Sequence, residues 1–490
     1  MREPERDEPA TFDLQRRPPA GARRGRRPGR GSLRRTLFAA ALALAALQPA
    51  AAGDVRIDGS FVSTAPTGTP PLSVSSTTRV ENLNADLLDG LDASAFSRKP
   101  AQILWVSPSG GDFTTLQGAL DSITDASASK PYLVRVGPGI YVGQVVMKPF
   151  VDIEGSGEGV TILRAFAFGA TVTGASKAEL RDLTVENFGG SFGGGTGIHN
   201  ASAATRITRV TVRVESAHNM RVGIANDGSP PFPGPVLRRV TVSAQGQGTR
   251  TTGVQTAGTR VTIFDSQITA AGKNARAISN GGGAVARLIR VEAHVLHGDL
   301  ENDTPIYGIR SSESETEMVD VNVTANGGLR NYGAYSENGT ARARMRRVRV
   351  FAHAGDGAQA HGVYTIDTPL DLVDCEIQAV GGTSVTRAVL IRSSNVRIYR
   401  STLNAAGGSS AYGLYLSVAP GTGGTGTWSV EVHASQLWAS TFAVNSHEDF
   451  RVGIGGTWLG GARRVHDLTG SVTCAGVYDE SFTFYSDSCN

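Results

Sequence analysis

The sequence predicts an all-β chain, a single-stranded right-handed parallel β-helix of about ten coils with an N-terminal capping α-helix. Three observations predict it. Glycine is abundant, at 61 residues, while charged residues make up only 19% of the chain, a composition of strands and tight turns. A short apolar motif recurs from residue 180 onward. A second motif, Gly followed by an apolar residue, sits upstream of most copies of the first.

The first motif is an apolar residue, two others, an apolar residue, one other, and an apolar residue. It reads Leu180/Leu183/Val185, Ile207/Val210/Val212, Leu237/Val240/Val242 and Ile263/Ser266/Ile268. It continues through Met318/Val321/Val323, Met345/Val348/Val350 and Leu372/Cys375/Ile377 to a degenerate copy, Val432/Ser435/Leu437. The three-residue step breaks strand alternation once, which predicts a bend between two strands. The second motif appears as Gly197-Ile198, Gly223-Ile224, Gly253-Val254, Gly308-Ile309, Gly362-Val363 and Gly413-Leu414. Each unit then carries three short strands. A unit this short cannot bury its own apolar residues, and stacking its neighbours gives one continuous core.

The ends of the chain differ from the body. Residues 1–52 hold 11 Lys or Arg against 5 Asp or Glu, whereas the remainder holds 36 against 39. The near-neutral body carries no electrostatic footprint for nucleic acid. Arg34-Arg35 precede the apolar run Leu37–Leu47, which is too short to span a bilayer, and Ala50-Ala51-Ala52 follows. This reads as a signal peptide with a long basic head, cleaved near Ala52. The mature chain is expected to be secreted, periplasmic or on the cell surface, with no membrane span. A neck or linker follows over 53–100, whose Asp86, Asp89 and Asp92 lack the alternating spacing of a calcium loop. The β-helix is expected over 101–463, and a C-terminal cap over 464–490.

Ile103–Val106 reads as a strand, and Tyr132–Val136 and Val151–Ile153, with a turn at Gly137–Gly139, read as the first strands of the array. Thr114 and Gln117 then form a capping-box pattern ahead of Leu116, Ala119, Leu120 and Ile123, which share one helical face. Cys474 and Cys489 can close a terminal disulfide in an exported chain, and Cys375 falls on an inward position. No Cys/His spacing suggests a metal, and no cofactor is expected.

The stretch Val106-Ser-Pro-Ser-Gly-Gly-Asp-Phe-Thr-Thr-Leu-Gln-Gly-Ala-Leu120, with Val136-Gly-Pro-Gly-Ile-Tyr-Val142 and Ile153-Glu-Gly-Ser-Gly157, resembles the opening of pectinesterases and of the wider pectin-lyase-like superfamily. The resemblance covers roughly residues 103–190 and implies a right-handed β-helix and a carbohydrate context. It fails where chemistry should follow. The Gln-Asp-Thr, Asp-Phe-Ile-Phe-Gly and Gly-Arg-Pro-Trp patterns of pectinesterases are absent, as are the Asp-Asp and Gly-His pairs of polygalacturonases. No catalytic residue can be carried over.

Two positional ladders remain. The third residue of the first motif runs Asp182, Arg209, Arg239, Asp265, Arg290, Asp320, Arg347, Asp374, Arg400. It reads as a solvated ion-pair column that pins coil register, in preference to a groove for a charged polymer. The second ladder lies two residues after the Gly and includes Arg310, Tyr335, Tyr364 and Tyr415, expected to point outward as a flat platform for sugar rings. The residues before the Gly (Tyr307, Tyr332, Tyr412) take inward or corner parity and read as stacked packing. These features favour a non-catalytic glycan-binding or display protein. The alternative is a divergent esterase, lyase or hydrolase acting on an acidic polysaccharide. A fibre-like trimer is a third possibility, suggested by residues 80–96.

Overall fold

The computed structural model describes residues 100–490, apart from 191–192, 217–219, 230–233, 247, 297–303, 340, 356–358, 419–426, 468–471, 487–488 and 490; before residue 100 it describes only the short strands Leu87–Leu88 and Leu91–Asp92. The expected signal segment and nearly all of the neck therefore lie outside the described residues. The chain divides into two compact units, Met1–Leu88 and Asp89–Asn490, and the second holds the repeats.

That unit is a right-handed parallel β-helix. Each coil contributes one strand to each of three sheets. The A face runs from Gln102–Val106 and Tyr132–Val136 through the first half of every motif copy to Val472–Ala475. The B face takes the second half of each copy, and the C face takes the Gly motif. There are about 13 turns, not ten. The difference lies at the ends, where coils keep the backbone pairing without the motif. In one early coil the A-face strand Val151–Glu154 and the B-face strand Thr161–Ala165 are separated by a six-residue loop instead of a single bend residue.

The core is the line of inward motif residues. Leu180, Leu183, Val185, Ile207, Val210 and Val212 are fully buried, and the same positions stay buried coil after coil. Each such side chain contributes roughly 1.5–3 kcal/mol. Cys375 takes one of these positions as a buried free thiol.

The bend between the A and B faces is one residue in the left-handed region, with φ of 57° at Asp182, 51° at Arg209, 52° at Arg239 and 55° at Asp374. The turn preserves the sheet hydrogen bonds, since the Asp320, Arg347, Asp374 and Arg400 N–H groups each donate at 3.0 Å to a carbonyl of the next coil. A left-handed non-glycine residue costs about 1–2 kcal/mol, so the bond through the corner and the charge pairing described below offset a real strain. A second left-handed column (Glu313, Asn338, Asp367, Ser393) turns the chain from the C face to the next A face in the same manner.

Among the described residues one helix, α1 (Leu116–Ser122), buries Leu116, Ala119 and Leu120. Its N-cap is Thr115, not Thr114; the Thr115 hydroxyl accepts from the Gly118 N–H at 3.3 Å. Gln117 does not reach back to close a capping box. Its Oε1 accepts from the Val146 N–H at 2.8 Å, because an unpaired strand N–H beside the helix competes for it. No described helix is long and apolar enough to cross a membrane. At the other end, parallel pairing continues to Tyr478, after which Val477–Tyr478 pairs antiparallel with Phe484–Tyr485. Cys474 and Cys489 are disulfide-bonded, with Cα atoms 5.3 Å apart.

Candidate functional site

The charged bend column resolves into pairs. Arg209 reaches down to Asp182 at 2.5 and 2.7 Å, Arg347 to Asp320 at 2.6 and 2.8 Å, and Arg400 to Asp374 at 2.7 and 2.9 Å. Arg290 pairs with Asp265 at 2.5 Å. In each case the arginine lies one coil beyond its aspartate. The column alternates in sign from Asp265 onward, but Arg239 follows Arg209 directly: Arg209 is engaged by Asp182 and Asp265 by Arg290, which leaves Arg239 without an ion-pair partner among the described residues. Further pairs join coils on the A and B faces, including Arg287–Glu317 and Arg349–Glu376. On these surfaces charge is largely neutralised from coil to coil.

The C face is built differently. In register along it stand Arg310, Tyr335, Tyr364, Leu390 and Tyr415. The predicted row is therefore brought together, with Leu390 set between Tyr364 and Tyr415. A parallel row stands beside it: Arg276, Tyr307, Tyr332, His361, Arg387, Tyr412, Phe442 and Arg463, again one residue per coil. This is the row expected at inward or corner parity. Instead Tyr307, Tyr332 and Tyr364 share an outer cluster with Tyr335 and Tyr415, separate from the coil core.

The reason is the glycine between the rows. Ladder pairing skips it, joining Tyr307 to Tyr332 and Ile309 to Ala334 but not Gly308 to Gly333. A Cβ at Gly308 would sit 2.3 Å from Val323 Cγ1 and 2.6 Å from the Gly333 carbonyl oxygen. The backbone dips inward there, so alternation is lost: Ile309 stays in the coil core, and Tyr307 before the glycine and Arg310 two residues after it both face out.

The second row forms a stacked spine. Tyr307 lies on Tyr332 with centroids 5.1 Å apart at 15°, and Tyr332 on His361 at 5.1 Å and 24°. Arg276 covers Tyr307 at 5.5 Å, Tyr412 stacks on Phe442 at 6.1 Å, and Arg463 ends the column 5.5 Å from Phe442. The predicted row rests edge-on against this spine. Tyr335 meets Tyr332 at 74° and Tyr364 at 86°, so the surface is interlocked and not the flat platform expected. Tyr364 is 6% exposed and belongs to the packing, whereas Tyr335 and Tyr415 are half-buried.

Guanidinium groups clothe these rings. Arg310 lies 5.8 Å from both Tyr307 and Tyr335, Arg387 4.3 Å from Tyr415, and Arg392 5.4 Å from Tyr364. Glu337 accepts from the Tyr335 hydroxyl at 2.7 Å and pairs with Arg310. Burial, aided by Arg310 and Arg250, lowers the Arg276 guanidinium to about 10, and burial lowers Arg387 as well. Burial and then the Glu337 hydrogen bond push the Tyr335 hydroxyl up, so it remains a protonated donor. Burial likewise raises Tyr364, to about 12. His361, 1% exposed, is held neutral at about 3 by burial and by Arg387, Arg392 and Arg330.

Stacked packing of Tyr307, Tyr332 and Tyr412 is legible in the sequence, but not its outward placement or its full length; the Tyr, His or Arg before each central Gly or Ala from Ala277 to Gly413 was the available signal. Acid/base chemistry has little material on this face: of the strands from Arg250 to Ser417, only that ending at Glu337 supplies a carboxylate. Carboxylates do converge on the A face, where Asp152 Oδ1 accepts from the Glu179 N–H at 2.9 Å and burial, then Glu179, raises Asp152. They are tied to structure there. Glu179 is engaged by Arg181, Arg206 and the Thr208 hydroxyl. His447, Glu448 and Asp449 lie close enough together to share an ion, but nothing else at that loop points to one.

No family model matches the chain, and no curated protein matches it. Among solved structures it is similar to the A-module of an Azotobacter vinelandii mannuronan C-5 epimerase, with 15% identity and a TM-score of 0.44 over 74% of this chain and 93% of that one. It is also similar to the Dettilon tailspike protein (9% identity, TM-score 0.48, over 76% of this chain and 70% of that chain) and to the pectate lyase Pel9A (13%, 0.34, over 79% and 80%). At such identity the likeness is one of β-helix architecture alone.

Proposed function

We propose that this is an exported, non-catalytic β-helix protein that binds an acidic glycan along its C face, outside the cell or at its surface. One observation carries the reading. The strands from Arg250 to Ser417 on this face hold six arginines (Arg250, Arg276, Arg310, Arg330, Arg387, Arg392) against one carboxylate, Glu337. The other surfaces balance their charge from coil to coil, so the imbalance is local to the aromatic strip. Guanidinium forks bind carboxylates in two-bond geometry, and tyrosine rings pack on the apolar faces of sugars. The half-buried Tyr335 and Tyr415, with Arg310 beside Tyr335, are the groups of this strip a ligand can touch.

The enzyme alternative asks for two carboxylates, or a comparable acid/base pair, across a scissile bond. Glu337 stands alone on these strands and is already engaged by Arg310 and Tyr335. A glycan array tests the reading. Uronate-containing or sulfated glycans should bind, neutral ones should not, and an Arg310→Ala, Tyr335→Ala double variant should lose the binding. Product release from a polysaccharide panel, equal binding of neutral glycans, or equal binding of single-stranded nucleic acid would each overturn it.

A further inference from the structure

The C face is closed at its C-terminal end. Its last strand, within Trp458–Asp467, brings Arg463 into register beyond Phe442, with Arg464 next to it in the chain. The tail then doubles back as the antiparallel pair Val477–Tyr478 and Phe484–Tyr485, and the turn between them stands across from those arginines. The disulfide anchors this tail, since Cys474 is buried in the core and Cys489 packs against it. The turn is stiffened by Asp479, which accepts from the Ser481 and Thr483 N–H groups at 2.9 Å each and from the Tyr485 hydroxyl at 3.0 Å. These backbone and side-chain bonds hold its carboxyl below the usual range.

Between the turn and the last coil lies a cavity of about 450 Å³, bounded by Leu459, Arg463, Arg464, Asp479, Glu480 and Ser481. That volume is within the range of small-ligand sites. Most of its charge is already used. Arg464 pairs with Asp479 at 3.5 Å and lies 4.4 Å from the Tyr485 ring. Glu480 Oε1 accepts from the Gly461 N–H at 2.5 Å and from the Trp438 indole at 3.2 Å. Both donors to Glu480 are neutral, and Arg463 is the remaining cation of the lining. It is exposed, has no ion-pair partner among the described residues, and lies 5.5 Å from Phe442, the last ring of the spine.

We infer that this cavity is the end subsite of the C face, seating the terminal sugar acid of a glycan that lies along the strip, with Arg463 binding its carboxylate. The inference rests on the glycan reading above and deepens it. The protein would then hold a chain by its end, because the disulfide-anchored turn stops further sliding past the last coil.

The test uses galacturonate monomer and hexagalacturonate with the full-length protein, read by calorimetry and by chemical shifts. Monomer should bind the wild type, and Arg463→Gln should abolish that while Tyr335→Ala leaves it intact. Hexamer affinity should fall about tenfold in Arg463→Gln. Arg463 is exposed, so its variant folds, which the unchanged melting curve would verify. If Tyr335→Ala weakens the hexamer and Arg463→Gln does not, the end subsite is overturned while the strip survives. If neither variant changes hexamer binding, both fall.

Discussion

Tyr332 and His361 stack one coil apart, ring centroids 5.1 Å from each other and 24° from parallel, beneath the surface row of tyrosines. The contact places an ionisable ring in the middle of an aromatic spine, with Arg387, Arg392 and Arg330 around it. Protonation there would bury a cation beside three others.

A pH dependence follows. His361 titrates at about 3 in the fold, against about 6.5 when exposed, so between those values the unfolded chain binds a proton that the folded chain does not. Stability is therefore unaffected by this group above pH 6.5 and declines as pH falls toward 3. The loss should be about 2 kcal/mol between pH 6 and 4.5. His361→Phe removes the titration while keeping the stack. Its melting temperature should match the wild type near pH 7 and exceed it at pH 4.5; parallel pH profiles would contradict the assignment.

Arg239 isolates the cost of the bend. It sits at φ 52° without the aspartate that its counterparts at 209, 290, 347 and 400 possess. Arg239→Val forces a β-branched residue into the left-handed region and should destabilise the neighbouring coils by about 1–2 kcal/mol. Arg239→Asn, which tolerates that conformation, should be near neutral. Amide exchange across Val236–Gly246 and its two neighbouring strands measures the difference.

Removal of the terminal disulfide should act locally. A 15-residue separation corresponds to about 3 kcal/mol of stabilisation, and in a stacked array each coil is coupled chiefly to its neighbours. The Cys474→Ser, Cys489→Ser variant should show faster exchange in Phe450–Gly455 and Val472–Ala475, with strands such as Leu180–Val185 unchanged. Uniform loss of protection along the whole chain would contradict this.

Much of the fold was legible in residue spacing. The three-residue step at Leu180/Leu183 marks the bend at Asp182 because one left-handed residue removes one alternation. The coil Val151–Ala165 was legible only in part: Val151–Ile153 reads as a strand, but Thr161–Ala165 does not follow from it, since a loop replaces the bend and the apolar spacing changes while backbone pairing persists. The stacking of Tyr307 and Tyr332 was legible, but its place on the outside of the C face stayed hidden for a related reason. Strict alternation assigns Tyr307 and Ile309 to one side, and only the packing of Gly308 against Val323 and the Gly333 carbonyl shows that the count resets there. Periodicity also gave no account of lateral contact, so Tyr364 was expected at the surface although Tyr332, Tyr335 and Arg392 enclose it.

The most direct test of the central claim is the affinity of the intact protein for one polymer in two charge states, polygalacturonate and its fully methyl-esterified form, measured at two salt concentrations. Six arginines against Glu337 predict that the free acid binds at least about tenfold more tightly, and that the advantage shrinks as salt rises. Equal affinity for the two forms, or no binding of the acid form, would contradict it.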